Sequence, residues 1–306
     1  MSIPALVLSS SITLATHNGE FHADDVLAVA ALRLIANCDV IRTRDPAILA
    51  SCDIVVDVGA VYNPLNGRFD HHQSGRAGTR DNSPIFFSAF GLIWKHYGAQ
   101  ICNGDIEVAA EVDRTLVIPV DATDNGQRIT GKKRGFEGAA PYTVSHILGA
   151  MNPAWNDADR DYNAAFGRAV EVAEGIIRDA VRNAAAIITA RREVKVALAN
   201  AKGKKVVQFE TFNFDWADEA SASKAAKFVV YPSEDGSYWY IRSVPPKRGS
   251  FAQRLALPAS WAGVRGADLA TLTGVEGAIF CHPGRWIAGA ATLAGVYRMA
   301  KLALVG

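Results

Sequence analysis

Ile12-Thr13-Leu14-Ala15-Thr16, then His17-Asn18-Gly19-Glu20-Phe21-His22 and Ala23-Asp24-Asp25-Val26-Leu27, is the stretch that decides the fold. Ile12 to Thr16 reads as a buried strand. Apolar residues at Val26, Leu27, Ala30, Ala31 and Leu34 predict a helix over Asp24 to Ile35. Asp39 to Thr43 reads as a second strand, and Asp45-Pro46 opens a short helix with Asp as cap and Pro in the first turn. Ile54 to Val58 is a third strand, with Asp57 its polar interruption. Strands alternating with helices predict an α/β fold with a parallel sheet covered on both faces.

In such sheets ligands bind beyond the carboxyl ends of the strands. His17 follows the first strand and Asp57 closes the third, so both fall on that edge. A third cluster, Arg68-Phe69-Asp70-His71-His72-Gln73, ends another short apolar pattern. Imidazoles and carboxylates from three loops suit Mn²⁺ or a similar ion with phosphate oxygens as further ligands, the donor set of a two-metal phosphoesterase.

Simpler roles exist for several of these residues. Asp24 and Asp25 stand where a helix begins and, taken alone, would cap it. His17 and His22 beside them, in a loop leaving a buried strand, are not explained by capping. An ionised Asp57 in an apolar run is costly unless paired or bound to a cation. Asp121-Ala122-Thr123-Asp124-Asn125-Gly126 also describes an ordinary turn, and His96 and His146 read as satisfied histidines in helical patterns. Arg76 and Arg80 sit within reach of an anion in the loop after the third cluster. Gly131-Lys132-Lys133-Arg134-Gly135 and Gly203-Lys204-Lys205 are basic turns with solvent exposure as the default.

Composition sets the bounds. The chain has 306 residues, about half of them apolar, which is enough for one large or two medium domains. A formal net charge of +1 neither advertises nor excludes a polyanion partner, so such a contact must be local. Cys38, Cys52, Cys102 and Cys281 form no C-x-x-C pair, which argues against a cysteine zinc site or a disulfide framework and for a reducing, cytoplasmic setting. The start has no basic leader, and no apolar run reaches the roughly 20 residues a membrane span needs.

Farther along, Asn82-Ser83-Pro84 predicts the cap of a helix running to Gly98, and a helix is expected over about Asp105 to Leu116. Residues 157–201 read as one long helix or two stacked ones joining the halves. Lys205 to Phe209, Lys227 to Tyr231 and Tyr238 to Val244 read as strands, with a closing helix from about Ala290 to Ala303. The expected division is a metal-bearing catalytic domain over 1–200 and a smaller α+β substrate-binding domain over 201–306. Phe280-Cys281-His282-Pro283-Gly284-Arg285-Trp286 reads either as an anion-binding approach to a helix start, with Arg248 and Arg254 adding charge, or as a tight turn packing Trp286.

The order His17…His22-x-Asp24-Asp25, Asp57-Val58-Gly59, Asp70-His71-His72-Gln73 and Asp121 to Gly126 resembles the DHH phosphoesterase superfamily. More narrowly it is similar to the melanocyte proliferating gene (MYG) family of metal-dependent hydrolases. Phe228 to Ser233, Gly249-Ser250-Phe251, Arg254, Leu257-Pro258, Trp261, Leu272 to Gly274 and the His282 segment follow that family's order. The resemblance implies a DHH-type catalytic domain, a smaller substrate-gripping domain and two Mn²⁺ ions, with Mg²⁺, Co²⁺ or Zn²⁺ as alternatives. His17 and His22 would hold one metal, Asp24 and His71 the other, Asp57 would bridge and Asp121 would complete the second, the sequence leaving open whether Asp121 or Asp124 is that ligand. His72, Arg76, Arg254, His282 and Arg285 would grip substrate, and His72, Asp57 and Asp70 would form the catalytic group. Arg285-Trp286 and Ala288 depart from the glycine-rich pattern usual there.

The function this implies is a phosphodiesterase, a 3′–5′ exonuclease on single-stranded RNA or short oligonucleotides. A small-molecule phosphatase acting on pyrophosphate, a nucleotide or a cyclic dinucleotide is the alternative enzyme, and a nucleic-acid-binding protein with a structural metal is the non-enzymatic one. The oligomeric state stays open, a homodimer being one option.

Overall fold

The computed structural model describes residues 11–131, 141–212 and 215–305. Lys132 to Gly135 of the first basic turn lie outside the described residues. The chain divides into two compact units, Met1–Ala185 and Ala186–Gly306.

The first unit opens with β1 (Ser11–Thr16), α1 (Ala23–Arg33), β2 (Asn37–Arg42), α2 (Pro46–Ser51) and β3 (Ile54–Val56), followed by the short strands β4 (Tyr62–Asn63) and β5 (Arg68–Phe69). They pair in the order β2-β1-β3-β5-β4, parallel throughout except between β4 and β5. The expected α/β architecture with a parallel-sheet core is present. Asp45 caps α2 by accepting from Ala47 N–H at 2.8 Å, with Pro46 in the first turn.

Helix α1 is buried from Ala23 to Leu32. Its alanines let α3 (Ala89–Ile101), α5 (Ile118–Asp124) and α6 (Val144–Gly149) pack against it closely. Leu27 and Leu32 are fully buried, each contributing roughly 1.5–3 kcal/mol. The same enclosure takes Asp24 and Asp25, at the start of α1, out of solvent.

Three local readings are corrected. Helix α3 starts at Ala89 rather than near Pro84, because residues before it are held extended by a bridge between Thr79 and Phe86 and by Phe86 N–H donating to Gln127 Oε1. Strand β3 ends at Val56, since Asp57 turns into the left-handed region at φ 58°. The helix expected to end at Leu116 instead runs from α4 (Ile106–Val112) through a π-helical turn, Asp113–Val117, into α5, which tolerates Pro119 in its first turn. Asp121 and Asp124 are therefore helical, not turn residues.

Helix α7 (Tyr162–Asn200) is a single helix of 39 residues. The second unit adds β6 (Val206–Gln208), α8 (Ala217–Ser221), β7 (Phe228–Pro232), β8 (Trp239–Ser243), α9 (Gly266–Thr273), β9 (Ala278–Cys281), β10 (Ile287–Ala290) and α10 (Leu293–Val305). Its sheet runs β6-β7-β8-β10-β9, with only β6 and β7 parallel. The segment read as a helix approach after His282 is instead the β9–β10 hairpin. Ile287 to Ala290 looks helix-compatible by propensity, yet it occupies an inner strand where Gly289 must stay small, since a Cβ there would stand 2.8 Å from the Phe280 ring. No helix among the described residues is long and apolar enough to cross a membrane.

Candidate metal centre

Adjacent parallel strands deliver the site. His17 follows β1, Asp57 follows β3, and Asp70-His71-His72 follows β5, so side chains far apart in sequence meet at one sheet edge. The start of α1 adds Asp24, and the end of α5 adds Asp124. The left-handed backbone of Asp57, a conformation Asp adopts more readily than most residues, turns its carboxylate off the strand.

Asp57 faces both histidine groups with different oxygens. Its Oδ2 lies 3.4 Å from His17 Nε2 and its Oδ1 3.3 Å from His71 Nε2. His71 Nε2 is also 3.3 Å from Asp124 Oδ2 and 3.7 Å from Asp24 Oδ2. Donor atoms group within 4.8 Å of one another as His17–His22–Asp57, Asp57–His71–His72 and Asp24–His71–Asp124. His17, Asp24, Asp57 and His71 are buried, while His22 is exposed.

Electrostatics make this grouping costly as it stands. Burial pushes the Asp24 carboxyl well above the ordinary range, and the charges of Asp57 and Asp124 push it further. Burial also acts on Asp57, but the His17 and His71 imidazoles beside it outweigh it and hold that carboxyl at about 2. Asp24 Oδ1, Asp57 Oδ1 and His71 Nε2 are buried without hydrogen-bond partners. Orphaned acceptors converging on one spot are what a divalent cation satisfies, and the mixed nitrogen and oxygen donors fit two such ions sharing Asp57.

Asp70 is buried and fully used. Its Oδ1 accepts from His72 N–H at 3.0 Å and lies 2.8 Å from His72 Nδ1, while its Oδ2 accepts from Ala60 N–H at 2.6 Å. It orients His72 rather than meeting a substrate. The hydrogen bond to the Asp70 carboxylate raises the His72 pKa, favouring the charged form of an imidazole whose side chain is 61% exposed. Arg76, also left-handed, donates to Asn125 Oδ1 at 2.9 Å and lies over the Phe86 ring. With His22, Asp24, His72 and Asp124 it lines a cavity of about 730 Å³.

A family model named MYG1_exonuc, described as an uncharacterised protein family (UPF0160), matches residues 13–304. The chain belongs to the MYG1 family. It is 35% identical to the MYG1 exonuclease of Mus musculus, over 95% of this chain and 84% of that protein. It is 32% identical to MYG1 protein C694.04c of Schizosaccharomyces pombe, over 97% and 98%. A crystal structure of RecJ in complex with Mn²⁺ from Thermus thermophilus matches at 16% identity and a TM-score of 0.29, covering 98% of this chain and 53% of that one. Family membership and the clustered donors make this MYG1-family chain a metal-dependent hydrolase.

Two expected site residues take other partners in this MYG1 family member. Asp121 does not join the metal donors. Its Oδ1 accepts from Ser88 Oγ at 2.6 Å and Gly91 N–H at 3.1 Å, and Arg80 Nη1 stands 2.7 Å from its Oδ2. It ties the start of α3 to α5, and Arg80 is thereby held on Asp121 and Asp113 rather than offered to an anion. Asp124, three residues on, faces His71 instead. Arg254 in the second unit donates to the carbonyls of Ser221, Ser223, Ala226 and Pro245, which is a structural role. His282 is exposed in the β9–β10 turn, with its ring 4.8 Å from that of Trp286, and Arg285 there is left-handed at φ 58°. The D-x-x-D spacing was the one sequence signal for Asp124, and it left the choice open.

Proposed function

We propose that this chain is a Mn²⁺-dependent 3′–5′ exonuclease on single-stranded RNA or short oligonucleotides. The observation that carries the reading is Asp57 facing His17 with one oxygen and His71 with the other, the arrangement of a carboxylate shared between two ions. The name of the mouse relative, an exonuclease, supports the nuclease class. Divalent cations held by His17, His22, Asp57, His71, Asp24 and Asp124 would activate water and neutralise charge on the phosphoryl group. His72, oriented by Asp70, would donate a charged hydrogen bond to a phosphate oxygen, and Arg76 would hold the next phosphate. The second unit would bind the strand, with His282 and Arg285 as phosphate contacts and Trp286 as a stacking surface.

The test is digestion of end-labelled RNA with Mn²⁺ or EDTA, with pyrophosphate assayed in parallel. Asp57→Asn is the control, because Asn also accepts a left-handed backbone. Metal-dependent stepwise shortening from the 3′ end, lost in the variant, is the expected result. Phosphate release from pyrophosphate with RNA left intact would move the chain to the small-molecule phosphatases.

A further inference from the structure

Asp25 is the carboxylate that neither capping nor the family resemblance accounts for in full. Its Oδ1 does the capping, accepting from His22 N–H at 2.9 Å and Val26 N–H at 2.8 Å. Its Oδ2 is buried, has no hydrogen-bond partner, and lies 3.3 Å from His17 Nε2. We propose that Asp25 is itself a metal ligand, its Oδ2 joining His17, His22 and Asp57 around the first ion. The inference rests on the reading that this cluster binds divalent metal.

The His17 ring supplies the argument. Its Nδ1 stands 3.2 Å from the Asn18 carbonyl, which can only accept, so Nδ1 carries the proton. That leaves Nε2 as the coordinating nitrogen, and it faces two carboxylate oxygens, Asp25 Oδ2 at 3.3 Å and Asp57 Oδ2 at 3.4 Å. One proton on Nε2 can serve only one of the two oxygens well, whereas a divalent cation among the three atoms serves all of them in this dry pocket. Their spacing also suits a shared ion, since neighbouring donors on bonds of about 2.1–2.2 Å stand about 3.0–3.6 Å apart across octahedral to tetrahedral geometry.

Charge balance points the same way. Asp24, Asp57 and Asp124 alone leave two divalent ions under-neutralised in a largely buried site. Asp25 supplies the carboxylate that matches them, and Asp25 is fully buried.

Mn²⁺ binding, measured by calorimetry with free ion counted by electron paramagnetic resonance, tests this on wild type and Asp25→Asn. Asn keeps the capping acceptor, and thermal unfolding in EDTA checks that the fold is intact; Asp25→Ser serves if Asn is poorly folded. The expected result is two Mn²⁺ in wild type, with one site weakened by about tenfold or more in the variant and the other unchanged. An anomalous map of the Mn²⁺-loaded crystal should show Asp25 Oδ2 bonded to the ion. An unaltered isotherm in the variant, or an ion bonded to His17 and Asp57 but not Asp25, overturns the proposal and leaves the metal reading intact. A wild type that binds no Mn²⁺ overturns both.

Discussion

Arg80 Nη1 stands 2.7 Å from Asp121 Oδ2, and the pair is largely buried at the start of α3. Removing one partner of a buried ion pair leaves the other uncompensated, at about 3–5 kcal/mol. Asp121→Ala should therefore lower the unfolding free energy of the metal-free protein, read from urea titration, by about that amount. Asp124→Ala should change that stability little and instead weaken Mn²⁺ binding, which calorimetry reads. A D121A protein of wild-type stability would refute the structural role.

Gly91 lies against the same carboxylate. A Cβ there would come within 2.6 Å of Asp121 Oδ1 and closer still to Oδ2, and Arg80 and Ser88 hold that carboxylate in place. Gly91→Ala, which ordinarily favours a helix, should here destabilise by about 1–3 kcal/mol through overpacking. Thermal unfolding of G91A beside an exposed helical control, Gly175→Ala, separates the two effects.

Metal should stabilise the fold as well as serve chemistry. Free Mn²⁺ at a hundred times its dissociation constant should raise unfolding free energy by about 2.7 kcal/mol per site. Asp57 faces both histidine groups, so Asp57→Asn should abolish most of this increment. Melting temperatures in EDTA and in Mn²⁺, for wild type and variant, check it.

Away from the metal donors, Asp53 gives a pH dependence. Thr13 donates to its Oδ2 from both N–H and hydroxyl at 2.8 Å, and these bonds hold its pKa below the ordinary 3.8. A carboxyl depressed on folding contributes stability above its unfolded pKa and loses it as pH falls through the folded one. The tie between β1 and the start of β3 should thus weaken below about pH 4, by no more than about 1 kcal/mol because Asp53 is exposed. Asp53→Asn should flatten that part of the acid limb in urea titrations from pH 5 to 3.

The candidate metal donors other than Asp124 were legible because they are chemically incongruous. Paired histidines and carboxylates in loops leaving buried strands have few other uses, and the β-α-β alternation already places those loops on one edge. Local order along the chain therefore determined the α/β class, the metal-binding character and the family. What the tertiary structure decided was allocation among like residues. Asp121 and Asp124 carry the same side chain three residues apart on one helix, yet one meets Arg80 and the other His71. Arg254 reads as a cation for phosphate until four carbonyls surround it. Phe280 to Trp286 reads as the approach to a helix start until β9 and β10 pair across it and an inner strand demands a small residue beside Phe280. Sequence pattern records what each side chain can do, but partner choice depends on contacts between segments far apart in the chain, and only packing brings those together.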